Sequence, residues 1–129
     1  MKKLLAPAAL AVVAAAAALP LLAAGTPSLN VYFQKTLTDT TYQKKVFDRV
    51  AKLWKIPGSL PAVGKKTVVQ AVLSKDGRLV SATVTMESGS KAWDDAALAA
   101  VKSAAPFAPL PKDYPYPSVE VHFHVALVP

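Results

Sequence analysis

Two apolar runs joined by Asp76-Gly77 constrain the fold of this chain more than any other stretch of its sequence. The stretch VVQAVLSKDGRLVSATV, residues 68–84, contains the Asp-Gly dipeptide that is typical of a tight β-hairpin turn. A two-residue turn pairs Lys75 with Arg78. Moving outward from the turn, apolar residues then share one face, with Leu73 opposite Val80, Ala71 opposite Ala82, and Val69 opposite Val84. The sequence therefore predicts an antiparallel hairpin with one buried face and one partly exposed face.

An amphipathic helix is predicted on each side of the hairpin. Before it, apolar residues recur at helical spacing, at Tyr42, Val46, Val50 and Leu53. Asp39 or Thr38 can cap this helix, and Pro57 forces the chain out of it. After the hairpin, Ser90 can cap the segment SKAWDDAALAAVKSAAP, which Pro106 ends. Both helices present one apolar side to a sheet.

The segment SVEVHFHVALV, residues 118–128, alternates apolar and polar residues and predicts the last strand. The element order is then helix, strand, strand, helix, strand. If the last strand pairs with the first strand of the hairpin, the connection is a standard crossover and the sheet is wholly antiparallel. We therefore predict an α+β domain with a three-stranded antiparallel sheet, in strand order 2-1-3, and two helices packed on one face.

In that arrangement the last strand lies at an edge of the sheet. Val119 to Val128 contains no internal proline or lysine and one charged residue, Glu120, so nothing in the sequence protects this edge. The strand would then pair with an N-terminal segment such as Val31–Phe33, pair with a second copy of the chain, or accept an extended peptide. Peptide binding is the functional hypothesis, and it places these residues at the binding edge: Val119, Val121, His122, Phe123, His124, Val125 and Leu127.

The N-terminal 25 residues are predicted to be either a signal peptide or a membrane anchor. Lys2 and Lys3 precede an uninterrupted apolar block, Leu4 to Ala24, and Ala23 and Gly25 suit a cleavage site after Gly25. The block is also long enough to cross a bilayer of roughly 30 Å. Both alternatives place the rest of the chain outside the cytoplasm. Residues 26–38 are predicted to be a short linker, and residues 39–129 the folded domain.

Composition narrows the classes of function. The chain has no cysteine, so an exported domain of this kind has to be stable without disulfides. Beyond Lys2 and Lys3 it has 13 basic and 8 acidic residues, a net charge of +5, but the lysines form no dense run and nucleic-acid binding is not expected. No arrangement of nucleophile and base indicates an enzyme, and no cofactor motif is present. Glu120, His122 and His124 share one face of the last strand, and a metal site there is kept as an alternative.

Four segments together resemble the C-terminal domain of TonB and TolA-type energy transducers. They are YQKKVFDRVAKLWKIP at 42–57, the hairpin at 68–84, ESGSKAWDDAALAAVKSAAPFAPLP at 87–111, and the closing VEVHFHV. The resemblance covers residues 40–129. It implies a periplasmic domain that binds partner proteins and takes part in energy-dependent transmembrane transport. In TonB-like members the last strand pairs with a peptide of an outer-membrane transporter.

No long spacer separates the apolar block from the domain. We therefore expect a short periplasmic binding module for a transporter or another envelope protein. It would be either soluble after signal cleavage or tethered to the inner membrane. The alternative is a small exported structural protein that self-associates, as a homodimer, or binds metal through Glu120, His122 and His124.

Overall fold

The computed structural model describes residues 25–129, which form four strands and two helices. In chain order these are β1 (Thr26–Phe33), α1 (Thr40–Leu53), β2 (Lys66–Ser74), β3 (Leu79–Met86), α2 (Lys91–Ala104) and β4 (Ser118–Val128). Apart from Gly25, the segment predicted to be a signal peptide or an anchor lies outside the described residues. Within residues 25–129, no helix is both long enough and apolar enough to cross a membrane.

The strands form one antiparallel sheet in the order β1-β4-β2-β3. An α+β fold with two helices and an antiparallel sheet is therefore confirmed, and the predicted order of the last three strands is retained. The predicted number of strands is wrong, because the segment interpreted as a linker, residues 26–38, contains β1. That strand turns the side chains of Leu29, Val31 and Phe33 toward the hydrophobic core, so its apolar alternation has a packing role.

The core lies between one face of the sheet and the two helices. From α1 it contains Tyr42, Val46 and Val50, the stripe that the spacing predicted. Asp39 caps α1 by accepting a hydrogen bond from the Tyr42 N–H at 2.9 Å, which satisfies one of the free amides at the helix start. Every second residue of β4 is buried against the helices, namely Val119, Val121, Phe123, Val125 and Leu127.

The turn of the hairpin is one residue longer than its sequence predicted. The Ser74 N–H donates to the Arg78 carbonyl, and the Gly77 N–H donates to the Ser74 carbonyl, each at 2.9 Å. The loop is therefore three residues long, with Gly77 at φ +89°, where a glycine is favoured. The pairs of Ala71 with Ala82 and Val69 with Val84 are as predicted. Leu73, however, faces Leu79 instead of Val80, because Val80 is an extra residue in a bulge.

Two side chains attach α2 to the sheet. Trp93 is fully buried, and its indole N–H donates to the Val125 carbonyl at 3.0 Å. The Asp94 carboxylate accepts hydrogen bonds from the Thr67 hydroxyl at 2.5 Å and from the Ser88 N–H at 2.9 Å. Burial acts to raise the pKa of Asp94, but these hydrogen bonds outweigh it and the pKa lies below its usual value. The carboxylate thus joins β2, the loop after β3 and the first turn of α2.

Candidate functional site

The last strand does not lie at an edge of the sheet. β4 pairs with β1 on one side, from Thr26 opposite Val128 to Phe33 opposite Val121, and with β2 on the other. Its main chain is therefore occupied on both sides, and the prediction that it forms an open edge is wrong. Pairing with Val31–Phe33 was one of the three alternatives predicted for this strand. In the structure β4 pairs with these residues and with the rest of β1.

The seven residues predicted for the binding edge fall into two groups. Five are buried beneath the helices, at Val119, Val121, Phe123, Val125 and Leu127. The other two, His122 and His124, lie half-buried on the face of the sheet that no helix covers, which we call the open face. The structure thus places these residues on one strand as predicted, but it does not bring them together at an accessible edge. That they contact a partner remains a prediction.

The open face near β4 carries a polar cluster without the geometry of a metal site. The His122 Nε2 lies 2.5 Å from the Glu120 carboxylate, whereas the His124 Nδ1 faces the Lys66 ammonium at 3.1 Å. Burial, the charge of Lys66 and the neighbouring His122 lower the pKa of His124. Among residues 25–129, no three His, Cys, Asp or Glu side chains are grouped so that they could hold a metal ion. The metal-binding alternative therefore lacks a ligand set in this part of the chain.

One of the two outer strands, β1, has a proline on its outer edge, which makes pairing with a further strand less favourable. The Gln34 N–H donates to the Glu120 carbonyl at 3.0 Å, so the residues of β1 that hydrogen-bond to β4 are the even-numbered ones. The odd-numbered residues then turn their backbone groups outward. Pro27 is one of these, and it has no N–H to offer at a position where the N–H would face solvent. The outer side of β1 therefore has one donor fewer than an ordinary edge strand.

The other outer strand, β3, has an edge with no proline on it. The even-numbered residues of β2 bond to β3, as the bond from the Ser74 N–H to Arg78 indicates, and they face Ser81 and Thr83. Ala82 and Val84 therefore direct their N–H and C=O groups away from the sheet. No residue of β3 is charged and none is proline, so none of the common means of blocking an edge by side-chain chemistry is present.

The ends of β3 differ from its centre. Irregularities at Val80 and Thr85 flank the regularly paired segment Ser81–Val84. Val80 is 63% exposed and Met86 is 50% exposed, so an apolar side chain stands in solvent at each end of the strand. Bulges twist an edge and limit the length that a second strand can follow. The usable segment of this edge is therefore about four residues long.

This site was missed from the sequence because the open edge was assigned to the last strand. The hairpin's uncharged second run, LVSATVTM, was visible in the sequence and is the signal that could have indicated it. What the sequence did not reveal is which of the outer strands the N-terminal segment covers. Once β1 lies against β4, β3 is the outer strand with neither charge nor proline.

Comparison with known proteins gives one family and a similar solved structure. The family model described as TonB C terminal matches residues 39–124, which is 86 of the 129 residues. The solution NMR structure of TolAIII bound to a peptide derived from the N-terminus of TolB is similar in fold, with a TM-score of 0.53 and 24% identity, over 67% of this chain and 74% of that one. A search of curated proteins finds no significant match. Since the family match extends over two thirds of the sequence, the chain belongs to the TonB C-terminal family.

Proposed function

We propose that this domain binds an extended segment of an envelope protein by adding it as a fifth strand along the outer side of β3. The observation that carries the proposal is the row of outward backbone groups at Ala82 and Val84, on a strand without charge or proline. In strand addition, backbone hydrogen bonds supply much of the affinity, and alternate side chains supply the specificity. The domain acts as a binding module, and no catalytic step is part of its role.

The partner segment is short and largely uncharged. Ser81–Val84 offers four consecutive regular positions, so a segment of about four to six residues fills the edge. Its side chains would alternate between the open face, beside Ser81 and Thr83, and the helix face, beside Ala82 and Val84. Apolar side chains at its two ends would meet Val80 and Met86, which are exposed in the free domain. Covering these two residues adds apolar burial to the backbone hydrogen bonds.

The comparisons support a protein partner. The similar TolAIII structure contains a peptide from TolB, and the family is named for TonB, so an envelope protein or transporter is the partner class that we propose. A periplasmic location fits the order of Lys2, Lys3 and the apolar block, which keeps the lysines on the inner side of the membrane. A role in energy-dependent transport across the envelope belongs to the same proposal.

Site-directed photo-cross-linking in intact envelopes tests this proposal. A photoreactive residue at Thr83, which is exposed beside the free edge, is expected to cross-link to one short extended segment of an envelope protein, mapped by mass spectrometry. A probe at His124, beside β1 and β4, is expected to give no such product. Capture from His124 alone, or capture of a second copy of the chain from Thr83, would refute the proposal, the latter in favour of self-association.

A pair of proline variants sharpens the test. Ala82→Pro removes an outward N–H from β3 without removing a bond to β2, so we expect it to abolish cross-linking from Thr83 while the domain stays folded. Leu29→Pro makes the corresponding backbone change on the outer side of β1, together with some loss of core packing, and is expected to leave the product unchanged. Thermal melting followed by circular dichroism confirms that both variants fold. Equal loss of cross-linking in the two variants would contradict a site on β3.

A further inference from the structure

The fold gathers several chain segments at the end where residue 25 enters it. By register, the start of β1 lies beside the end of β4, and the start of β2 lies between the ends of β4 and β3. The loop 55–65 closes this end, because the Gly64 N–H donates to the Leu127 carbonyl at 2.7 Å and Ser59 accepts from Ser90 at 3.2 Å. We call this surface, made of Gly25, the loop 55–65, Met86 and Pro129, the entry end.

The entry end holds half of the large hydrophobic residues that are exposed in the described part of the chain. Of the eight large hydrophobic residues that are exposed within residues 25–129, four lie here: Ile56 at 56%, Leu60 at 41%, Val63 at 42% and Met86 at 50%. Three of the four are in a single loop, in which Pro61 is buried and fixes the path of the chain. Scattered exposed residues need no explanation, but a group at one end of a small domain indicates an interaction surface.

Basic residues accompany these apolar side chains. Lys55 and Lys65 are exposed at the two ends of the loop, and Lys66 follows at the start of β2. The nearby acidic side chains are Glu87, which is exposed, Asp95, which is paired with Lys91 at 3.0 Å, and Asp94, which is buried and hydrogen-bonded to Thr67. Apolar side chains flanked by lysines match the chemistry of a membrane surface that contains anionic lipid, where lysines contact headgroups and apolar groups reach the acyl boundary.

The chain leaves almost no distance between the entry end and the apolar block. The block ends at Ala24, and β1 starts at Thr26. Gly25 lies against the fold so closely that a Cβ there would approach the Val128 carbonyl oxygen to 2.8 Å and Val63 to 3.1 Å. One residue spans at most about 3.6 Å, so a block that is held in a bilayer keeps the entry end at the bilayer surface.

We infer that the entry end docks on an anionic membrane surface while the apolar block is embedded in it. Val63 and Leu60 enter the interface, and Lys55 and Lys65 contact the headgroups. This inference does not rest on partner binding at β3, because docking is carried by the loop 55–65 and the two surfaces share only Met86. Docking would fix the direction in which the outer edge of β3 faces.

Fluorescent labelling of the full chain in lipid vesicles tests the inference. The chain has no cysteine, so Val63→Cys and Val80→Cys each give one labelling site, at the entry end and at the opposite, hairpin-turn end of the sheet. In vesicles of phosphatidylcholine with phosphatidylglycerol, we expect an environment-sensitive dye at residue 63 to emit at shorter wavelength and to lose most of its quenching by aqueous iodide. The dye at residue 80 is expected to stay fully quenchable.

Two results would overturn the inference. Equal quenching of the dyes at residues 63 and 80 would show that the block tethers the domain without docking it. Protection of residue 63 that is unchanged in vesicles of phosphatidylcholine alone would remove the role of anionic lipid. Leu60→Cys provides a second site in the same loop, and the near-ultraviolet circular dichroism of each labelled variant, measured in solution, checks that the buried Trp93 keeps its native surroundings.

Discussion

A disulfide between β1 and β4 tests both the position of β1 and the choice of β3 as the binding edge. Ser28 and Ala126 face each other in the β1–β4 register, in a hydrogen-bonded pair on the open face. The Cα atoms of such a pair are about 5.5 Å apart, within the range that a disulfide requires. Because the chain has no cysteine of its own, Ser28→Cys with Ala126→Cys can form only this intramolecular bond.

The expected gain in stability follows from the length of the loop that the bond closes. From residue 28 to residue 126 the loop contains 99 residues (126 − 28 + 1), and the chain-entropy relation then gives about 4.7 kcal/mol at 25 °C. Engineered disulfides often give less, so we expect about 3–4.5 kcal/mol between the oxidised and reduced double variant. Urea unfolding, monitored by tryptophan fluorescence in the two redox states, measures this difference.

A register control makes the disulfide result refutable. Ser28→Cys with His124→Cys joins diagonal neighbours, whose Cα atoms are about 7–8 Å apart and therefore too distant for an unstrained bond. If this pair oxidises readily and the Ser28–Ala126 pair does not, Ser28 does not lie opposite Ala126 and the β1–β4 register is wrong. If neither pair forms an intramolecular bond, β1 does not lie against β4.

The Ser28→Cys, Ala126→Cys variant also distinguishes binding at β3 from binding at β4. A partner that adds to β3 is expected to cross-link from Thr83 equally well whether the disulfide is oxidised or reduced. A partner that reaches β4 by replacing β1 requires β1 to leave, which the disulfide prevents. Loss of cross-linking on oxidation, with recovery on reduction, would therefore refute binding at β3.

Further predictions concern the interactions that hold α2 and the hairpin in place. Asp94→Ala is expected to cost about 3 kcal/mol in urea unfolding, because it leaves two buried donors without their acceptor, whereas Asp95→Ala, which removes an exposed ion pair, is expected to cost less than about 0.5 kcal/mol. Because folding lowers the pKa of Asp94, its contribution is complete above the unfolded-state value of 3.8 and is lost as the pH falls below it, so the gap between wild type and Asp94→Ala should narrow in acid. Gly77→Ala would push a Cβ into the Phe107 carbonyl oxygen and is expected to cost at least about 2 kcal/mol more than Gly89→Ala, which has a similar positive φ but no atom within 4 Å; thermal melting compares the two.

Local patterns were enough to predict most of the elements. The spacing of Tyr42, Val46 and Val50 identified α1, and Asp39 was among its candidate caps. The alternation from residue 118 onward identified β4, which the structure has at Ser118–Val128. Each of these signals is local to one helix or one strand. Within such an element the period of the apolar residues shows which face is buried, so the sequence alone is enough to identify it. The crossover rule then placed β4 beside β2, as the structure has it.

The missing element was the one whose pairing is least local. In TPSLNVYF, the proline and the short apolar alternation give little indication of a strand, and the pairing of Thr26 with Val128 spans almost the entire domain. The candidate site depended on this element, because placing β1 beside β4 makes β1 and β3 the two outer strands of the sheet. The shifted pairing near Val80 was missed for another reason. Hairpin loops of two and of three residues both favour an Asp-Gly sequence, so the dipeptide does not determine the loop length.

The position of β1 also determines how the domain responds to mechanical tension. A pull on the N-terminal segment acts first on the pair of Thr26 and Val128, at the very end of the β1–β4 ladder. A pull directed away from the sheet therefore unzips β1 one pair at a time instead of shearing all pairs together. Unzipping would halt near Leu37, which is buried and follows the turn at Gln34. A stretched domain would thus keep its helices and hairpin, while β4 would lose its pairing with β1 and become an outer strand. Tension would then add a second edge at which a peptide can bind.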